Sequence, residues 1–167
     1  ATYSGTTVQE AAVDEADHVK NDGTHIYLVK GRTLRVINAY PLGNLAQVGG
    51  AALPGEAGQL FLHDGHAIVC SAADCGSAVS VFDVRDPANP VLRYARYFDG
   101  RLQASRMIGW RLHLVLSNGV WYGAPAPQHE TDAQRVARFL PNVRRQPWEA
   151  GVELLSSASV LHPKGYD

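Results

Sequence analysis

An all-β fold built from a repeated four-stranded unit is what the sequence predicts, on three observations. Short alternating apolar runs are cut at regular intervals by Gly, Asp, Asn and Pro, which is strand-and-turn punctuation. A turn-then-strand unit recurs, with Gly23, Gly65 and Gly109 at equivalent places, 42 and 44 positions apart. Helical spacing of apolar residues appears only after residue 130. A β-only repeat of this period is the spacing of propeller blades. The reading is therefore about three propeller-type blades, incomplete or open as a ring, with a short helix in the C-terminal part.

Taken in order, residues 1–12 are small and polar and form an extended arm. Residues 13–123 hold the blades. They open on Val13-Asp14-Glu15-Ala16-Asp17-His18-Val19-Lys20-Asn21-Asp22-Gly23, which packs four acidic residues into eleven positions and closes on an Asp-Gly turn. Gly supplies the positive φ that such a turn needs. Thr24–Lys30 and Thr33–Ala39 form the first hairpin, stopped by Tyr40-Pro41 because Pro lacks a donor. A short strand is expected around Leu45–Val48. Gln59–Leu62 and Ala67–Ser71 flank the turn His63-Asp64-Gly65-His66, and Ala78–Val84 and Val91–Phe98 flank the turn cluster Arg85-Asp86-Pro87-Ala88-Asn89-Pro90. Ser105–Ile108 and Arg111–Ser117 form the last clear hairpin, and Asn118-Gly119 turns into Val120-Trp121-Tyr122. Residues 124–167 change character. Ala124-Pro125-Ala126-Pro127 is a rigid link, Thr131 caps a helix that Pro141 ends, and Val152–Leu155 reads as a possible strand.

Length and composition bound the function class. The 167 residues allow one medium domain, with 46% apolar and 19% charged residues. A net charge of −1 lacks the basic stripe of a dedicated nucleic-acid binder. No apolar run reaches the length of a transmembrane segment, and no signal peptide is visible. Ala1 in first place suits a processed chain. Cys70 and Cys75 flank a loop between two strand-like runs, so a small-loop disulfide and an oxidising compartment are expected, against two reduced, half-buried thiols.

The sequence resembles a family of secreted or envelope-exposed bacterial and archaeal proteins that carry a β-propeller distantly related to WD40 repeats. The likeness rests on Tyr3–Ala11 with Val13–Gly23, on Val81-Phe82-Asp83-Val84 followed by Asp86-Pro87-Ala88-Asn89-Pro90, and on Ser105-Arg106-Met107-Ile108-Gly109. It covers roughly residues 3–122. The resemblance implies a propeller fold and an extracytoplasmic location (periplasmic, cell-surface or secreted). It implies no catalytic residues. Family members are several-fold longer, and three blades cannot close a ring.

Candidate sites have structural alternatives. Asp14, Glu15, Asp17 and Asp22 form a cluster of the kind that binds Ca²⁺, or cap backbone donors where the arm meets the first blade. The spacing is not that of an EF-hand. His25, His63, His66 and His113 sit near repeat-equivalent turns, as a transition-metal set or as plain rim residues. Trp110, Trp121, Tyr122, Tyr94 and Tyr97 offer a binding surface or blade-to-blade core. Arg135, Arg138, Arg144 and Arg145 make the one basic patch, suited to an acidic partner surface, to lipid head groups or to bare solvation. No His-Glu-x-x-His, Gly-x-Ser-x-Gly or P-loop pattern is present.

The function expected is a non-enzymatic extracytoplasmic binding or scaffold module. It would pack its open blade face on a protein partner, on another copy or on the rest of a longer propeller. The alternatives are a metal-dependent binding protein or enzyme with a site at the blade rim, and a self-assembling surface-layer or adhesion component.

Overall fold

The structure is a computed structural model, and it describes residues 13–74, 76–118, 131, 134, 142–146, 150 and 152–153. The expected all-β class is what it shows. The first sheet runs in the order β2 (Val19–Asn21), β3 (His25–Lys30), β4 (Thr33–Asn38) and β5 (Ala46–Ala52), all antiparallel. The second contains β6 (Glu56–His63), β7 (His66–Ala73), β8 (Gly76–Asp83) and β9 (Val91–Phe98), again in chain order. The third holds β10 (Arg101–Ile108) and β11 (Arg111–Ser117), with β1 (Val13–Glu15) on the free side of β10. These are three blade-type units, each opened by a hairpin with a repeat glycine at its turn. Gly23, Gly65 and Gly109 all have positive φ, which is why the repeat keeps Gly there. Asp64 beside Gly65 is also left-handed, as a two-residue hairpin turn requires.

The core lies between the sheets. Tyr27, Val29, Leu34 and Val36 point from the first sheet onto Leu60, Val69, Phe82 and Val84 of the second. A smaller cluster of Phe61, Cys70, Val79 and Met107 joins the second sheet to the third. Strand periodicity explains the division: β7 sends Val69 to one interface and Cys70 to the other.

Two elements depart from the expectation. The strand expected around Leu45–Val48 runs longer, over Ala46–Ala52, with a bulge between its pairings to Val36 and Ile37. Its glycines look unsuited to a strand, yet a Cβ on Gly49 would lie 2.1 Å from the Pro87 carbonyl oxygen, so only Gly lets that turn pack there. The C-terminal part also returns to the blades. β12 (Asn142–Arg144) pairs with β9, and β13 (Val152–Glu153) pairs with β12, which extends the second sheet to six strands. β13 falls within the strand expected at Val152–Leu155. Of the helix expected after Thr131, only its start is described. Thr131 and Gln134 exchange the reciprocal bonds of a capping box, Gln134 N to Thr131 Oγ1 at 3.3 Å and Thr131 N to Gln134 Oε1 at 2.9 Å. The arm 1–12 and the strand Val120–Tyr122 lie outside the described residues.

Candidate functional site

The acidic opening segment threads past all three sheets. β1 lies against the third sheet, with Asp14 opposite Met107. Asp17 then exchanges backbone hydrogen bonds with Leu60 of the second sheet, with Leu60 N donating to Asp17 O at 2.7 Å. β2 enters the first sheet, and its Lys20 reaches back. Lys20 is only 5% exposed, and its Nζ donates to Asp14 Oδ1 at 2.7 Å and to the Glu15 carbonyl at 2.6 Å. Burying an ammonium is tolerable only with partners of this kind. Glu15 Oε1 lies 3.5 Å from Arg106 Nη2 on β10. Asp17 Oδ1 accepts from His18 N at 2.6 Å. At the β2–β3 turn Asp22 Oδ1 accepts from Thr24 N, Thr24 Oγ1 and His25 N, and its Oδ2 accepts from Tyr27 Oη at 2.9 Å. Burial of the Asp22 carboxyl opposes ionisation, but these bonds outweigh it and bring its pKa down to about 2.

The expected Ca²⁺ set is thus not assembled. Asp14 lies in β1, Asp17 between β1 and β2 and Asp22 in the β2–β3 turn, and among the described residues no three His, Cys, Asp or Glu side chains gather to hold a metal. The segment is a stitch. The histidines are spread in the same way. His63 opposes His66 across the β6–β7 turn, and the His63 ring meets Trp110 edge-on at 4.2 Å. His66 Nδ1 lies 2.8 Å from the Asp64 carbonyl, His25 Nδ1 lies 3.0 Å from Thr24 Oγ1, and His113 sits opposite Arg106.

Two clefts open at the two ends of the sheet stack. One, of about 560 Å³, lies where the turns of the first and second sheets meet, lined by Asp22, His25, Tyr27, Asp64, Arg85 and Pro87. The other, of about 530 Å³, lies between the second and third sheets at the opposite end, lined by Gln59, Cys70, Ser77, Arg101 and Leu102 among others. Cys70 beside it is a free, buried thiol, and the expected disulfide with Cys75 is not shown. The cross-strand partner of Cys70 on β8 is Val79. Burial pushes the Cys70 thiol up to about 12, against a hydrogen bond with Ser105 that lowers it. Cys75 itself is outside the described residues.

Sequence reasoning missed one charged cluster. Asp83, buried at the end of β8, accepts from Arg85 Nε at 2.9 Å and from Arg93 Nη2 at 2.7 Å. The Arg85 and Arg93 guanidiniums hold its carboxyl well below the usual carboxylate range. The signal was present, an Asp inside an otherwise apolar strand with Arg two residues on. Of the aromatic residues, Tyr97 is buried, whereas Tyr94 and Trp110 are exposed; Trp121 and Tyr122 lie outside the described residues. Of the arginine patch, Arg144 lies in β12 opposite Tyr97 and Arg145 is exposed, while Arg135 and Arg138 lie outside the described residues. Among the described residues no helix is long and apolar enough to cross a membrane.

The outer face of the first sheet carries an apolar strip beside the exposed Asn21, Lys30 and Arg35. Val19, Ile26, Leu28 and Ile37 alternate with the core residues of β2 to β4 and so point away from the second sheet. None of them belongs to either core cluster, and Val19 is exposed.

Comparison with known proteins agrees with this architecture. The chain is 27% identical to an uncharacterized protein of Archaeoglobus fulgidus over 75% of its own length and 21% of that relative. It therefore spans about a fifth of the length of the curated relative it matches. No solved structure matches. A family model described as a beta propeller domain matches residues 3–167, and with three blade-type sheets in sequence order the chain belongs to that beta-propeller family.

Proposed function

We propose that this chain is a non-enzymatic binding and scaffold module, extracytoplasmic in setting, whose first sheet docks on a further blade-type sheet. The single observation that carries this is the apolar strip on the outer face of the first sheet. A sheet with apolar residues on both faces is the pattern of one covered on both faces. Val19, Ile26, Leu28 and Ile37 supply the second such surface, and only the inner face has its cover among the core clusters. The matching sheet is a blade of the rest of a longer propeller, which accords with the length of the archaeal relative. The carboxylates that suggested chemistry are engaged in structure instead, Asp14 joining two sheets through Lys20 and Asp22 bracing a turn, which supports a binding role over a catalytic one. The extracytoplasmic setting is supported by the resemblance to secreted and envelope-exposed proteins.

The test is a hydrophobic dye. The 167-residue chain should enhance its fluorescence, and Ile26→Lys with Leu28→Lys should remove a large share of that signal without changing the β circular dichroism. A dye signal untouched by the pair would sink the reading.

A further inference from the structure

Val19, Val48, Tyr94 and Val115 are exposed along strands, but the most exposed large apolar side chains gather in one place. Tyr40, Leu42 and Leu45 lie in the β4–β5 connection, at 61%, 87% and 67% exposure. Leu92 near the start of β9 is 47% exposed, and Trp110 in the β10–β11 turn is 71% exposed. These positions belong to all three sheets, yet they share one end of the stack. His25, Asn38 and Ala46 are neighbours across the first sheet at that end. The cleft that joins Asp22 and His25 to Asp64 and Arg85 puts the second sheet's turns beside them. The ring contact of His63 with Trp110 adds the turn of the third. The opposite end carries the Ala73–Gly76 and Gly100 turns and shows no such side chains among the described residues.

The geometry points to this end of the stack as a surface that docks on a zwitterionic lipid bilayer, with the Tyr40–Leu45 loop and Trp110 entering the interface. Three features select lipid over a folded partner. The apolar groups are separate loop tips, and the cleft between them mixes the charged or polar Asp22, His25, Asp64 and Arg85 with Leu62, Val84 and Pro87, so it is not an apolar groove. A fluid interface moulds itself around separate tips. The chain from Val36 to Gly55 carries no charged residue, so the loop leaves water without stripping an ion. Tyr and Trp have the amphipathic rings that settle at head-group level. Behind the tips the rim carries both signs, Asp22, Asp64 and Asp86 with Arg111 and with Arg85 and Arg93, which share Asp83, and this matches a head group holding one phosphate and one quaternary ammonium rather than an anionic surface.

The probe is phosphatidylcholine vesicles mixed with the 167-residue chain. The chain should sediment with the vesicles, and its tryptophan emission should move to the blue and be quenched by bromine-labelled acyl chains. Trp110→Phe should remove most of that quenching. Leu42→Asp with Leu45→Asp should weaken vesicle binding at least about tenfold, since two leucines no longer leave water. Leu28→Lys, on the outer face of the first sheet, should leave it unchanged, so failure here and failure of the blade reading are separable. Lack of sedimentation would overturn the proposal. So would binding that survives the double aspartate, or binding lost with Leu28→Lys. Bromine quenching that survives Trp110→Phe would also overturn it, since the quenched ring would then be Trp121 or Trp148. The bromine quenching needs no loop variant, so a poorly folded double aspartate would not spoil the test.

Discussion

Strands β8 and β11 have similar lengths and occupy comparable sheets, but their burial is opposite. Gly76–Asp83 is buried at every position after the first, while Arg111–Ser117 alternates exposed and half-buried along its whole length. The sequences carry the difference. β8 reads Gly-Ser-Ala-Val-Ser-Val-Phe-Asp, small or apolar on both faces up to its terminal Asp; β11 reads Arg-Leu-His-Leu-Val-Leu-Ser, largely apolar on alternate positions. A strand between two other sheets must be apolar throughout, whereas one at the end of a stack needs only one such face. Strand patterning therefore reports position in the stack. β3, His-Ile-Tyr-Leu-Val-Lys, has the two-faced pattern of β8 but only Tyr27 and Val29 are buried. That mismatch is the physical content of the proposed docking face.

The sharpest way to test this contrast is to truncate one residue from each class. Phe82 is fully buried between the first two sheets, so Phe82→Ala should cost about 3–5 kcal/mol in urea unfolding, enough to leave a chain of this size marginal. Val115→Ala on β11, 58% exposed, should cost about 0.5 kcal/mol or less. Equal losses would mean that the end sheet is packed as tightly as the middle one.

The same contrast explains how much was legible. Strand order within each blade and the repeat glycines follow from local pattern, since a hairpin turn and an alternating strand are short-range objects. What joins the sheets is not local. Nothing in Val13-Asp14-Glu15 says that it pairs with Arg106-Met107-Ile108, about ninety residues away. Reading the acidic run as a metal site followed composition, whereas in the fold the Asp14 and Asp22 carboxylates bond residues of the first sheet, Asp17 caps His18 N and Glu15 faces Arg106 of the third. That Val79 faces Cys70 was not legible either, because register and not spacing decides it. The strand at Asn142–Arg144 was hidden by its arginine, which reads as helix or surface until its pairing with Tyr97 is known.

The stitch can be cut by one atom change. Asp14→Asn keeps the shape of the side chain but leaves the Lys20 ammonium buried with a weaker partner. The expected loss is about 2 kcal/mol, in the range for hydrogen bonds to charged groups. Glu15→Gln, whose contact with Arg106 is longer and more exposed, should cost about 0.5 kcal/mol. If the two losses were alike, the segment would act as a surface ion-pair strip and not as a buried stitch.

The smallest effect is the most specific in pH. Asp22 has its carboxyl lowered to about 2 by Thr24, His25 and Tyr27, against the raising effect of its own burial. Its folded pKa is below the unfolded one, so its ionised form stabilises the fold above about pH 4, and that contribution is lost as pH falls through 4 towards 2. Discounted for a side chain about a third exposed, the contribution is about 1 kcal/mol. Asp22→Ala should therefore lower the thermal midpoint at neutral pH by a few degrees, and the gap between variant and parent should narrow as the pH is taken from 4 to 2. A gap that stays constant over that range would show that the side chain acts by turn geometry alone. The charge would then contribute nothing to the first sheet, and the comparison between the sheets would rest on apolar packing.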